Sequence, residues 1–265
     1  MEPARPEFAP RRGQSREEMV ALQREVAAAA TFEDDLGFDP AAVTLDGSIE
    51  PGADGERARL DDGRDGPVVV GVDQAFLDDQ AVSAVVAIRD GVVVERVHAV
   101  EPLAIPYVPG LLSFREGGPI LAAFEALTVE PDLVLFDGSG RIHYRQAGLA
   151  THLGLVLDVP SVGVAKKLLC GRPRGSVEGL DAGARVAIEA DERVEDGAGA
   201  VIGYAVQTRQ FESARTINPL YVSPGHRVAA ETAADLVWSL SGDYKLPEPT
   251  RLADRYVGQV RDRLA

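Results

Sequence analysis

The chain predicts an α/β fold built on a mixed sheet, in which three antiparallel strands join parallel ones and helices flank the whole. Three observations carry this. Residues 68–72 and 133–136 are short apolar runs, VVVGV and LVLF, of the kind found in strands covered on both faces. Asp90-Gly91 between two further apolar runs is a hairpin signal, which makes that part of the sheet antiparallel. Beyond residue 118, helical apolar spacing alternates with short apolar runs, the pattern of βα units.

In chain order, residues 1–14 are rich in proline and arginine and are expected to be loosely ordered. Ser15 and Glu18 have the spacing of a capping box, and Met19, Leu22 and Val26 give the helix after them an apolar face up to about Thr31. Residues 44–66 are acidic and glycine-rich and read as a surface loop with little to bury. Strands are expected over Val68–Asp73, Val82–Ile88 and Val92–Val97, then a helix over Pro119–Leu127. A strand over Leu133–Phe136, a helix over Gln146–Leu157 and a strand over Pro160–Ala165 follow. Residues 171–200 are polar, with an edge strand and loops at most, and Val201–Thr208 is a strand. Helices are expected over Arg227–Leu240, with Trp238 in the core, and over Thr250–Leu264. This divides the chain into an extension, residues 1–66, and a catalytic unit, residues 67–265, within one domain overall.

Composition bounds the function. No apolar run approaches the roughly 20 residues of a membrane span, and the N-terminus has no secretory core, so the expected location is the cytoplasm. The single cysteine, Cys170, excludes an internal disulfide and any multi-cysteine zinc site and reads as a buried small hydrophobe. A net charge of −15 argues against a nucleic-acid partner at first sight. Only three of the 27 basic residues, however, are lysines. Acidic excess with lysine almost absent is the composition of a chain adapted to very high salt, where the Debye length falls to about 3 Å. Local basic residues then matter more than the total, and Arg115, Arg141, Arg145, Lys166 and Lys167 are the candidates for a path that meets nucleic acid.

The residues with chemical potential lie around strand ends. Asp73 and Asp137 each follow an apolar run. On neighbouring parallel strands their carboxylates would meet at one sheet edge, where ligands of open α/β sheets bind. Two carboxylates that close repel unless a proton or cation separates them, and Mg²⁺ or Mn²⁺ suits such a pair. Glu116 is either a third acid for the metal, a general base, or a plain helix N-terminal glutamate. Tyr107 sits between Pro106 and Pro109 in a stiff tip, which suits a wedge into a base stack or a braced loop. Lys166 follows a strand and can pair with the carboxylates or steady a phosphate; the scarcity of lysine favours this over a surface role. His143 can act as acid, base or water-positioner, and His226, expected to open a later helix, can lie nearby. His98 and His152 read as structural.

The segments PYVPGLLSFRE, PDLVLFDGSGRIH, GVAKKLLCG and NPLYVSPGHR resemble the successive motifs of the endonuclease V family, in that family's order and spacing. The resemblance runs from Val68 to Asp254 and includes PEPTRLAD. It implies a ribonuclease H-like fold and a Mg²⁺-dependent deoxyribonuclease, with Mn²⁺ as a substitute. The implied partner is DNA containing hypoxanthine, cut at the second phosphodiester bond 3′ to the lesion to leave 3′-hydroxyl and 5′-phosphate ends. The protein itself is expected to be a monomer with no membrane association. Inosine-containing RNA is the alternative substrate on the same fold, and a non-catalytic nucleic-acid-binding protein would lack the acids that are present here. Residue by residue, the resemblance implies metal carboxylates at Asp73 and Asp137 with Glu116 as third acid, a wedge at Tyr107, a catalytic lysine at Lys166 and an active-site histidine at His143. It matches Asp132 to the motif's first aspartate, and a base pocket to Leu112, Gly138, Gly140 and Gly148, with the Gly138 and Gly140 amides reading the base. Two departures stand out: Tyr144 replaces the family's proline after the histidine, and the acidic segments 44–66 and 171–200 are additions. With its composition, the resemblance points to a halophilic archaeon.

Overall fold

The computed structural model describes residues 1–45, 65–210 and 217–264. Most of the acidic segment expected at 44–66 lies outside them.

Among the described residues nine strands, numbered in chain order, form one mixed sheet in the order β3-β2-β1-β4-β5-β9-β8-β7-β6. β1 (Val69–Leu77), β4 (Leu133–Asp137) and β5 (Ser161–Ala165) run parallel at its centre. β2 (Gln80–Arg89) and β3 (Val92–Pro102) complete an antiparallel meander on one side. The turn between them places Asp90 and Gly91 at φ of +47° and +71°, the left-handed conformation that a two-residue hairpin requires. On the other side β9 (Leu220–His226), β8 (Val201–Val206), β7 (Arg185–Glu189) and the short β6 (Arg172–Pro173) are all antiparallel to their neighbours.

Helices cover both faces. α2 (Leu112–Ala126) and α3 (Leu149–Leu157) bury Ile120, Phe124, Leu153 and Val156 against Val70, Val72, Val134 and Phe136. α4 (Ala230–Ser239) buries Ala233, Leu236 and Val237 against Val69, Leu133, Leu135 and Val162 on the opposite face. α5 (Glu248–Leu264) crosses the same face at the meander, with Leu252 and Ala253 against Val86 and Ile88. Alternate residues of each central strand therefore serve opposite layers, and the whole run must be apolar. α1 (Arg16–Ala29) starts on the capping box expected of Ser15 and Glu18 and packs Met19, Leu22 and Val26 on Leu111, Phe114 and Leu155.

Several expectations are corrected. β1 does not end at Asp73 but runs to Leu77, because β2 continues to pair with it there. α2 begins seven residues before Pro119, which sits inside the helix rather than at its start. α3 begins at Leu149 rather than Gln146, after a turn that uses residues 138–148. Residues 220–226 form β9, so His226 closes a strand instead of opening a helix. Trp238 is 45% exposed and not core, since the buried stripe of α4 runs through Ala233, Ala234, Leu236 and Val237 and leaves Trp238 outside it. Cys170 is buried as expected, which pushes its thiol up to about 12.

His152 has a structural place. It is fully buried on α3, with Nε2 donating to the Phe8 carbonyl at 2.7 Å and Nδ1 2.9 Å from the Ser113 hydroxyl. Burial lowers its pKa to about 4. An unfolded histidine titrates near 6.5, so between about pH 6.5 and pH 4 the unfolded chain takes up a proton that the folded chain refuses. The stability due to the neutral ring is complete above that window and is lost as pH falls through it, by about 1.4 kcal/mol per pH unit. Thermal midpoints measured between about pH 7.5 and pH 4.5 should fall less steeply for His152→Gln than for the unmodified chain. Equal slopes would mean that His152 is not held neutral.

Candidate active site

The sheet register builds the site. The last parallel pair between β1 and β4 is Val72 with Phe136, so Asp73 and Asp137 are the next residues on adjacent strands. Val69, Gly71 and Asp73 point to one face, beside Leu133, Leu135 and Asp137, and this is the face that α5 covers. Lys166 follows the end of β5, the third parallel strand, and its Nζ donates to Asp137 Oδ2 at 2.8 Å. From the other face, α2 brings Glu116 to the same end of the sheet, where both it and Asp73 are buried.

These groups line one pocket of about 540 Å³. Its floor holds Asp73, Glu116, Asp137 and Lys166, and its walls include Leu112, Gly138, Gly148 and His143. At its rim stand Phe76 and Tyr107, 43% and 65% exposed. Phe76 is there because β1 extends beyond Asp73, and the Arg115 guanidinium lies 5.1 Å from its ring centre.

The acids are strongly perturbed. Burial, then the neighbouring Asp137 carboxylate, raises the Asp73 carboxyl to about 8, and a hydrogen bond with Asp254 adds to the effect. Burial chiefly raises Glu116 to about 7. Burial would lower the Lys166 ammonium, but Asp137 more than reverses this, helped by Asp73 and Asp254, and its pKa is raised. Asp254 is a fourth acid of the cluster and was not among the residues singled out from the sequence. It lies on α5, far along the chain from Asp73, and only the docking of that helix over β1 brings it in.

The donor set is all carboxylate oxygen, which suits a hard divalent ion. Among the described residues no three acidic or histidine side chains already converge at ligand spacing, and Lys166 holds one Asp137 oxygen. That leaves one or two carboxylates for an ion that otherwise keeps water and substrate oxygens, as Mg²⁺ does. The raised pKa values of Asp73 and Glu116 mark a site short of positive charge.

His143 lies in the pocket wall with both ring nitrogens engaged. Nε2 donates to the Gly110 carbonyl at 3.1 Å and Nδ1 accepts from the Arg145 amide at 3.1 Å. Burial, then Arg145, lowers its pKa to about 4. The neutral ring therefore ties two loops together. Tyr144 braces the same turn from outside: Gly110 has φ +80°, and a Cβ on it would lie 2.9 Å from the Tyr144 ring.

Other sequence-selected residues fall elsewhere. Asp132 accepts from the Val68 amide at 2.7 Å, at the opposite end of the parallel strands. His226 lies at that end too, opposite Ser161, with Nδ1 accepting from the Thr31 amide and Nε2 3.2 Å from Asp158. Gly138 and Gly140 cannot read a base through their amides. The first donates to the Val164 carbonyl at 3.1 Å and the second to the Ser223 hydroxyl at 2.9 Å. Gly140 is needed for packing instead, since a Cβ there would lie 2.2 Å from the Pro224 carbonyl. Arg141 and Arg145 line a separate cleft and do not continue a path with Lys166 and Lys167.

The Endonuclease V family profile matches residues 56–255. A relative from the halophilic archaeon Haloarcula marismortui, named Endonuclease V, is 57% identical over 98% of this chain and 97% of its own. The crystal structure of the catalytic domain of human Endonuclease V superposes with a TM-score of 0.74 at 28% identity, covering 95% of this chain and 99% of that one. A Ciona intestinalis Endonuclease V, in complex with DNA containing an inosine followed by a ribo-adenosine, shares the fold at 23% identity, with a TM-score of 0.69 over 94% of this chain and 98% of that one.

Proposed function

The chain belongs to the endonuclease V family, nucleases that hydrolyse phosphodiester bonds in DNA and depend on a divalent metal ion, and from that premise we propose that its substrate is DNA carrying deoxyinosine. The bond cut is the second phosphodiester 3′ to the hypoxanthine nucleotide, leaving 3′-hydroxyl and 5′-phosphate ends. The observation that carries this reading is the meeting of Asp73, Glu116, Asp137 and Lys166 beneath a pocket with an exposed tyrosine on its rim. The Ciona relative's inosine-containing DNA supports the substrate assignment.

Asp73 and Asp137 would hold Mg²⁺, or Mn²⁺ in its place, with Asp254 hydrogen-bonded behind Asp73. The chemistry a bound ion supplies is neutralisation of charge on the scissile phosphate and its leaving oxygen. Glu116, with a carboxyl that titrates at about 7, is the group suited to take a proton from the attacking water near neutral pH. Lys166 places a cation at the same oxygens, where negative charge builds in the transition state. Tyr107 fills the gap left by the extruded base. Gly138 and Gly148 keep the pocket wall clear of side chains. Leu112 opens α2 without a side-chain cap, so its amide supplies a donor on that wall. His143 acts as a positioning residue through Gly110.

The test uses end-labelled strands in molar potassium chloride with Mg²⁺: DNA with one hypoxanthine, the same DNA with adenine, and RNA with one inosine. We expect a single cut one nucleotide beyond the lesion in the first and none in the second. No cleavage, or equal cleavage of the adenine strand, would overturn the reading. Preferential cutting of the RNA would move the substrate assignment to inosine in RNA.

A further inference from the structure

Arg141 and Arg145 face a second cleft, of about 290 Å³, together with Arg24, Phe32, Gln146 and two carboxylates, Glu195 and Asp196, which the three guanidinium groups outnumber. Three guanidinium groups in one cleft stand out in a chain of net charge −15. Two of them share a carboxylate. Arg24 holds Glu195 through a fork of 2.8 and 3.2 Å, and Arg145 approaches it at 3.8 Å.

Arg141 is different. Its Nε donates to the neutral Gln146 side chain at 2.6 Å, and its guanidinium lies 4.6 Å from the centre of the Phe32 ring. Among the described residues no carboxylate lies within ion-pair distance of it, and its Nη groups make no hydrogen bond. Drawn partly out of water, with only neutral partners among the described residues, this cation lacks a counter-anion among them. The fork it still offers matches the oxygens of a phosphate. Arg141 covers one face of the Phe32 ring, and its free Nη groups make the cleft suit an anion.

The cleft also adjoins the catalytic pocket. Gln23 and Gly110 line the catalytic pocket. Arg145 Nε donates to Gln23 Oε1 at 2.7 Å, and Gln23 Nε2 and Arg145 Nη2 both donate to the Gly110 carbonyl, at 2.9 and 3.2 Å. The two cavities therefore share one hydrogen-bonded wall.

We propose that this cleft is a second phosphate site, taking a backbone phosphodiester of the bound DNA strand away from the bond that is cut. Glu195 is its internal competitor, holding Arg24 and Arg145 until the phosphate arrives. The inference rests on the nuclease reading of the first pocket. It accounts for how so acidic a protein grips a polyanion: by forked contacts at one place rather than by a basic surface.

The experiment measures binding without cleavage. Fluorescence anisotropy with chelator present gives Kd for labelled DNA strands with and without hypoxanthine, between about 0.5 and 2 M potassium chloride. Arg141→Gln should weaken binding about fivefold on both strands and reduce the slope of log Kd against log salt by about one. Its single-turnover cleavage rate at saturating protein should stay within about twofold of the unmodified chain, since removing an interaction that ground and transition states share equally changes only binding. Glu195→Gln should tighten binding about threefold on both strands, an opposite sign that misfolding cannot produce. Unchanged Kd and slope in Arg141→Gln, or weaker or unchanged binding in Glu195→Gln, would overturn the proposal. Loss confined to the hypoxanthine strand would also overturn it, because a phosphate site does not read the base. The adenine strand keeps this test separate from the deoxyinosine reading: failure of that reading abolishes discrimination between strands and leaves the Arg141 effect in place.

Discussion

Asp73→Asn is expected to abolish cleavage while leaving the folded protein as stable as before or more so. Activity should fall at least about 1,000-fold, because the change removes a charged donor from the pair of carboxylates that meets at the sheet edge. The stability effect follows from the sign of the shift. The Asp73 carboxyl titrates at about 8 in the folded chain, above its ordinary value near 3.9. A carboxyl raised on folding favours the folded state only below its unfolded pKa, and that contribution is lost as pH rises through the folded pKa. By about pH 8 the ionised pair Asp73 and Asp137 therefore costs stability in the absence of a cation, and asparagine removes that cost. Thermal unfolding at about pH 8 with chelator should show an unchanged or higher midpoint for the variant. With millimolar Mg²⁺, the unmodified chain should gain stability by mass action and the variant should gain less. A variant that still cuts, or one that melts well below the parent with chelator, would remove Asp73 from its proposed role.

Gly71→Ala should have the largest effect on folding. Gly71 lies two residues before Asp73 on the same face of β1, under the start of α5. A Cβ there would sit 2.0 Å from the Pro249 carbonyl oxygen and 2.6 Å from the Thr250 amide nitrogen. These are backbone atoms, which cannot swing aside as a side-chain end can. Relief requires α5 to lift or the strand to bend, at a cost of about 3 kcal/mol. Because α5 carries Asp254, activity should fall together with the thermal midpoint. A midpoint within about a degree of the parent would show that α5 does not rest on this strand as described.

The parts of the fold that depend on local pattern were legible in the sequence. The central strands are apolar throughout because helices cover both faces, and the hairpin at Asp90-Gly91 announces itself by composition. What escaped depends on partners distant in the chain. β9 contains Pro224 and Gly225, which read as punctuation; they are tolerated there, with the β5–β9 register shifting between Ser161 and Val162. By pattern β1 stops at Asp73, where polarity rises, yet the strand persists for as long as β2 pairs with it. In the site, Asp73 and Asp137 were readable because they follow the apolar runs of two strands that proved to be neighbours. Asp254 was not singled out, since nothing local marks an aspartate on an amphipathic helix as a partner for one on a strand far earlier in the chain. Asp132 and His226 were misplaced for the converse reason: their motifs are near the site in sequence, but they stand at the other end of the strands. Hydrogen-bond accounting, absent from sequence, decided against the Gly138 and Gly140 amides.

The seating of α5 on β1 also sets an order of events during synthesis. Every strand of the sheet leaves the ribosome before residue 248, so a nascent chain has the two strand carboxylates in hand while Gly71 is still bare and Asp73 still lacks its neighbour from the helix. The acid cluster is thus among the last parts of the molecule to be completed, and a chain arrested before α5 emerges carries the two strand carboxylates without the helix that finishes their surroundings.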